Sequence, residues 1–405
     1  MPLYRLVLFC VTLLAVSPAL LVAAAPSLEA LRMRLDSGEP TRVVCFGDSI
    51  TGAYYHTGGR RAWCDMLGIA LQSLYPRARV EMINAGVSGH TTAQALARID
   101  KDVIARMPHL VVVMFGMNDV ARLPLEEYIA NLQTIIEKCH AAGASVVVCT
   151  PNAVIENAAR PNAKLALLAE RLRQLAKERS LPLVDTFVDY QQVRERDETA
   201  FRLLMSDEIH PNMHGHRRFA EQMAKVIVDR KVNLENVPPP ADSLHHTLAR
   251  LEKGEGVHIV AMPPYDELVP AALKQLYPQA EIRTTSWPVQ SKSMVELSQW
   301  AVGIRNLRPD LVAPAVPAAT TATDQATYVR EYEWVLNRSF PFAGNAWDVM
   351  PILPGVAAPI NEDQLPNAAL ARHIVLGKDV RFVERATGST RSVLELLTAW
   401  IRQQR

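Results

Sequence analysis

Ser49, which follows Gly47-Asp48 and precedes Ile50, is the first residue whose type and setting suit covalent chemistry. That chemistry would be acyl transfer. A hydroxyl attacks a carbonyl, an imidazole takes its proton, a carboxylate orients the imidazole, and N–H donors hold the oxyanion. Three further stretches offer the other parts. Asn84-Ala85-Gly86-Val87-Ser88-Gly89-His90-Thr91 contains two glycines whose backbone N–H groups can face a ligand. Gly116-Met117-Asn118-Asp119 offers a side-chain amide. Asp207-Glu208-Ile209-His210-Pro211-Asn212 sets a carboxylate three residues before an imidazole, near enough to fold back onto it. Alone, each is ordinary: Gly47-Asp48-Ser49 and the glycine loop are turns, Asn118 is a helix cap or Asx-turn, and Asp207 with His210 is a capping Asp beside a surface His.

The elements around these stretches give them weight. Strand-like runs cover 42–46, 80–84, 110–115, 146–149 and 183–188, and helical spacing covers 28–35, 62–74, 125–142, 165–178 and 217–232. Gly143 is placed as the C-terminal stop of the third of these helices. Leu110 to Phe115 is continuously apolar, as a strand buried on both faces would be. This alternation predicts an α/β fold with a doubly wound parallel sheet. All four stretches then fall at the carboxyl edge of one sheet, where open α/β sheets bind ligands.

Gly-Asp-Ser(-Ile), the glycine loop, Gly-x-Asn-Asp and Asp-x-x-His-Pro, in this order, resemble the four motif blocks of the SGNH (GDSL) hydrolases over about 42–232. The resemblance implies a flavodoxin-like sheet order and a serine esterase. By the same resemblance Ser49 is the nucleophile, and Asp207 and His210 complete the triad. The oxyanion hole is then the Ser49 backbone N–H with Gly89 and Asn118. Gly89 is preferred to Gly86 because the family's loop places its glycine five positions after the Asn, here Asn84, which leaves Gly86 as a turn residue. Asp48 is expected to hold the turn around the nucleophile, and Asp119 to cap the segment that follows it. Tyr54 and Trp63 either line the pocket or pack. No cofactor and no metal is expected, since His214 and His216 lack a carboxylate cluster at ligand spacing. Gly215 is expected to let the last helix pack closely.

The chain has 405 residues, enough for more than one domain, and a net charge of +1, without the basic footprint of a nucleic-acid binder. Arg5, the apolar run Leu6 to Val22 and the small residues Val22, Ala23 and Ala24 form a secretory signal over 1–24. An uncleaved N-terminal anchor is the alternative. No later stretch is long and apolar enough to span a bilayer, so no stable membrane span is expected once the signal is cut. Of the remaining cysteines, Cys45 and Cys149 lie in apolar runs and read as buried thiols, while Cys64 and Cys139 leave a disulfide open.

Val237-Pro238-Pro239-Pro240 reads as a stiff linker. It divides the chain into a catalytic domain at 27–235, a linker at 236–245 and a second domain at 246–405. The second domain repeats the first: the run from Leu71 lines up with that from Leu273, Leu74-Tyr75-Pro76 with Leu276-Tyr277-Pro278, and Pro108 to Val111 with Pro309 to Val312. His258 to Met262 stands for the first strand. This register puts Pro263-Pro264-Tyr265 where Gly47-Asp48-Ser49 would recur and Ser291 where Gly89 would, with Pro317 to Thr320 in place of the third block. No fourth block appears, and His373 stands alone, as a structural or exposed residue. The second half is expected to be a degenerate copy without hydrolase chemistry, serving as scaffold, binding surface or interface, with contact between the two domains.

The expected activity is hydrolysis of small acyl esters, acetyl foremost, on a carbohydrate or other small molecule. The alternatives are a lysophospholipase or short-chain thioesterase, transfer of the acyl group to a sugar, and a glycan-binding protein without catalysis.

Overall fold

The computed structural model describes residues 27–404, so the expected signal at 1–24 lies outside the described residues. The first part of the chain runs α1 (Leu28–Ser37), β1 (Pro40–Gly47), α2 (Trp63–Leu74), β2 (Arg79–Gly86), α3 (Thr92–Asp102), β3 (Leu110–Met114) and α4 (Asp119–Arg122). It continues with α5 (Leu125–Ala141), β4 (Ser145–Cys149), α6 (Asn162–Glu178), β5 (Leu183–Val184), α7 (Thr186–Arg196), α8 (Glu198–Arg202) and α9 (Met213–Val228). The five strands pair in the order β2-β1-β3-β4-β5, all parallel. This is the flavodoxin-like order, and its switch point lies between β1 and β3.

Strand alternation distributes the core. Val43, Cys45, Leu110, Val112, Val147 and Cys149 face one side, against α1, α2 and α9. Val44, Phe46, Val111, Val113, Val146 and Val148 face the other, against α3, α5 and α6. Every residue of β3 and β4 is buried, which explains the uninterrupted apolar runs 110–114 and 146–149. Cys45, Cys64, Cys139 and Cys149 are all buried free thiols.

The helices α4, α7 and α8 were not read from the sequence, and three further differences have a local cause. The strand expected at 183–188 stops at Val184, because Asp185 accepts the Val188 N–H and starts α7. The helix expected at 217–232 is α9, which begins at Met213. Asn212 accepts the His214 and Gly215 N–H groups there, and the helix ends before Asp229, in the left-handed region at φ 54°. Helix α3 was not anticipated, although Gln94 reaching back to the Thr91 N–H is a start signal legible in the sequence. Gly215 does sit at a close approach: a Cβ there would lie 2.4 Å from the Tyr190 hydroxyl and 2.6 Å from Pro211.

The second part runs α10 (His245–Glu252), β6 (Val257–Ala261), α11 (Tyr265–Leu276), β7 (Ile282–Ser286), α12 (Met294–Ala301) and α13 (Ile304–Leu307). It closes with β8 (Leu311–Ala313), α14 (Gln325–Ser339), β9 (Asp348–Val349), α15 (Leu365–Leu376) and α16 (Val393–Arg402). Its parallel sheet has the order β7-β6-β8-β9, which follows the first sheet's β2-β1-β3-β4.

Local backbone follows as well. Tyr75 and Tyr277 end α2 and α11 with φ/ψ of −130°/77° and −135°/77°. Met107 and Arg308, just before Pro108 and Pro309, share the left-handed region at φ 50° and 46°. Ser291 has φ 57° where Gly89 has φ 77°. The strand register agrees too: Val43 pairs with Leu110 and Ile259 with Leu311, so Ile259 takes the place of Val43 and Pro263-Pro264-Tyr265 stands opposite Gly47-Asp48-Ser49. The connection from β6 to α11 is much shorter than that from β1 to α2, so Tyr265 already opens the helix.

Candidate active site

Four strand ends and loops meet at the carboxyl edge of the first sheet. β1 ends at Gly47, and Asp48 and Ser49 follow directly. A Cβ on Gly47 would lie 2.0 Å from Thr51 Oγ1 and 2.6 Å from the Met114 carbonyl, so close approach demands glycine here. The turn that follows is closed by Asp48, whose carbonyl accepts the Thr51 and Gly52 N–H groups and whose Oδ1 accepts that of Ile50 (2.9 Å).

Ser49 Oγ is 2.8 Å from His210 Nε2. His210 Nδ1 is 2.8 Å from Asp207 Oδ2 and 3.0 Å from Oδ1. Asp207 Oδ1 also accepts the backbone N–H groups of Ile209 (2.9 Å) and His210 (2.8 Å), which folds the Asp-x-x-His turn back on itself. Burial alone would raise the Asp207 carboxyl. The His210 charge, its hydrogen bonds and His56 overcome that and hold it well below the usual carboxylate range. An imidazole placed between a hydroxyl and a buried carboxylate can act as a general base on that hydroxyl.

The oxyanion candidates flank Ser49. Gly89 sits in the left-handed region with open space around its Cα. Among the described residues, neither the Gly89 N–H nor the Ser49 N–H has a hydrogen-bond acceptor. Asn118 is buried, and no capping bond engages its side chain. Its amide donates to the His90 carbonyl at 3.1 Å and reaches Asp48 Oδ2 only at 3.5 Å, so one N–H is weakly held. Arg160 donates to Asn118 Oδ1 (3.2 Å) and to the Met117 carbonyl, turning the NH2 group towards the site. Gly86 stays in β2, its Cα face against Gly52, where a Cβ would come within 2.3 Å of the Gly52 N.

One neighbour takes a role other than the one expected, and the others pack. Asp119 does not cap its own segment; its Oδ1 accepts the Thr92 N–H and hydroxyl at the start of α3. Trp63 lies in the core, with its backbone N–H on His216 Nδ1. Tyr54 accepts the Ser88 N–H on its hydroxyl and packs against Phe342 of the C-terminal half, with ring centroids 5.4 Å apart. His214 stacks on His373 at 4.1 Å, so neither is placed to join His210.

His56 was missed by the sequence reading. It stacks flat on His210, centroids 3.7 Å apart at 14°, and its Nδ1 lies 3.5 Å from Asp207 Oδ2. Burial, then the His210 charge, push it well below the usual imidazole range. His56, Asp207 and His210 offer ligand atoms within 4.8 Å of one another. A cation held there would have to displace the proton between Asp207 and His210.

Burial raises the Asp48 carboxyl to about 7. The folded state therefore keeps a proton that the unfolded chain releases near 3.8, so this group removes stability as pH rises through that window. Asp48→Asn keeps the acceptor for Ile50 and removes the charge. Its stability advantage over wild type in urea unfolding is expected to grow from about pH 4 to about pH 7. A gap that does not change with pH would refute this account of Asp48.

Residues 45–218 match the GDSL-like Lipase/Acylhydrolase family. That match spans less than half of the chain. The GDSL-like domain is that of a carboxylic ester hydrolase. It is similar to an acetylxylan esterase of Geobacillus stearothermophilus, 29% identical over 218 residues, which cover 48% of this chain and 96% of the relative. It is also similar to the thioesterase 1/protease 1/lysophospholipase L1 of Escherichia coli (strain K12), 27% identical over 184 residues, covering 45% of this chain and 81% of that protein. The solved structure of the Geobacillus stearothermophilus acetylxylan esterase Axe2 is 26% identical, with a TM-score of 0.41, over 46% of this chain and 94% of that one. No described helix is long and apolar enough to cross a membrane.

Proposed function

We propose that the chain is a secreted serine esterase that removes acetyl and similarly small acyl groups from carbohydrate, with Ser49, His210 and Asp207 as its triad. The observation that carries the triad is the unbroken hydrogen-bond path from Ser49 Oγ through His210 to Asp207, at the switch point of a parallel sheet. Secretion rests on the signal pattern at 1–24.

In this mechanism His210 Nε2 takes the Ser49 proton as Oγ attacks the ester carbonyl. Asp207 holds the ring with Nδ1 protonated and stabilises the imidazolium. The oxyanion is received by the Ser49 and Gly89 N–H groups and the weakly engaged Asn118 amide, all fixed before the substrate arrives. His210 returns the proton to the leaving alcohol. Water then enters by the same route, and the acyl-enzyme is hydrolysed to the free acid and Ser49.

The carbohydrate substrate is favoured by the similarity to an acetylxylan esterase over nearly that protein's whole length and by the polar groups beside the oxyanion candidates, His90, Arg122 and Arg160. We propose further that residues 27–235 form the catalytic domain, 236–245 a linker, and 246–405 a degenerate second copy; the shared strand order and the Gly89/Ser291 and Met107/Arg308 backbone pairs support this.

The test is kcat/KM on acetylated oligosaccharides beside lysolipids and aryl esters of rising chain length. Acetylated oligosaccharides are expected to be the best substrates, with aryl esters falling off beyond short chains. A preference for long acyl chains or lysolipids would move the assignment to a lysophospholipase.

A further inference from the structure

The C-terminal half contributes a buried charged cluster to the back of the site. The segment Gly377-Lys378-Asp379, just after α15, enters between the loop before α2 and the turn before α9. The Gly377 carbonyl accepts the N–H of Met213, the first residue of α9 (2.8 Å). Asp379 takes Arg61 at both carboxylate oxygens (2.6 and 2.7 Å) and Arg217 at 3.4 Å. Between them Lys378 is fully buried.

Its ammonium meets four oxygens: Glu333 Oε2 at 2.5 Å, Asn337 Oδ1 at 2.6 Å, Ser206 Oγ at 2.8 Å and the His56 carbonyl at 3.2 Å. Asn337 Nδ2 donates to the Ser206 carbonyl (2.8 Å), and Glu333 Oε1 accepts from Asn212 Nδ2 (3.1 Å). The cluster therefore grips both ends of the turn that carries Asp207 and His210, and the backbone of the histidine stacked on His210. A buried ion pair is weak evidence for stability, because well-packed apolar residues often replace one without loss. What these contacts specify is position, at Ser206 next to Asp207, at Asn212 two residues beyond His210, and at the histidine stacked on His210.

We infer that Lys378 and Glu333, from the half that lacks the catalytic residues, are positioning residues for the triad. They set the Ser206–Asn212 turn and His56 so that His210 Nε2 stays within proton-transfer reach of Ser49. This rests on the triad assignment above. It gives the C-terminal half a direct part in turnover.

The experiment uses the full chain. Lys378→Met and Glu333→Leu are made singly and together, and each is assayed by thermal melting and by kcat and KM on an aryl acetate, beside Ser49→Ala. The single variants each strand a buried charge and are expected to melt lower. The double variant is expected to recover the melting temperature and yet keep a kcat roughly a hundredfold below wild type, with KM within about twofold, because misplacement of the reacting groups is felt in kcat. A double variant with both stability and kcat restored would overturn the positioning role. If the double variant does not fold, Ser206→Ala removes one contact without stranding a charge and is expected to lower kcat roughly tenfold; an unchanged kcat there would overturn the proposal. An inactive Ser49→Ala beside a fully active double variant would sink the positioning role alone. A fully active Ser49→Ala would sink the triad and the positioning role with it.

Discussion

Ser49→Ala is expected to lower kcat for ester hydrolysis by about a millionfold, with the melting temperature and far-UV circular dichroism unchanged. The Oγ atom bonds His210 Nε2, and its loss removes the proposed nucleophile without opening the core. Substrate binding does not depend on the hydroxyl, so KM should move little. Residual turnover over the uncatalysed reaction would come from the oxyanion donors, which the variant retains. Initial rates on an aryl acetate decide the matter, and a loss of less than tenfold would contradict the assignment.

Asp207→Asn is expected to cost roughly ten-thousandfold in kcat. Asn keeps an oxygen for the Ile209 and His210 backbone N–H groups, so the turn survives. Its NH2 group then faces His210 Nδ1 and favours the tautomer with the proton on Nε2, which cannot accept from Ser49. Stability carries a second signature. The Asp207 carboxyl lies well below its unfolded value, so its contribution is present above the usual carboxylate range and is lost as pH falls through and below it. Wild type should therefore lose stability on acidification faster than Asp207→Asn. Equal acid sensitivity, or a kcat loss under tenfold, would contradict the role.

The central sheet was legible because β3 and β4 are buried on both faces and so spell uninterrupted apolar runs, which a short turn must interrupt. The candidate site was legible because its parts sit at the ends of those runs, each within a few residues of chain. What failed was local competition and distance. Asp185 converted the end of an apolar run into a helix start, and polar residues in the first turn of α9 hid its beginning behind Asn212. His56 has no neighbouring motif, and its place on His210 follows from a long connection folding over the sheet edge. Lys378 and Glu333 reach Ser206 and Asn212 across more than a hundred residues of chain, so no spacing announces them. The equivalence of Ser291 with Gly89 and of Pro263-Pro264-Tyr265 with Gly47-Asp48-Ser49 was readable, because the Leu-Tyr-Pro and Pro-x-Leu-Val landmarks sit at matching distances from the paired strands.

The most direct measurement is mass spectrometry of the protein after reaction with an alkyl fluorophosphonate, which phosphonylates an activated serine hydroxyl with loss of fluoride. One adduct per chain, on the peptide that contains Ser49, with loss of esterase activity in step, is the result predicted here. Full hydrolytic activity without an adduct, or activity lost in step with modification of a different residue, would contradict the assignment of Ser49 as the nucleophile.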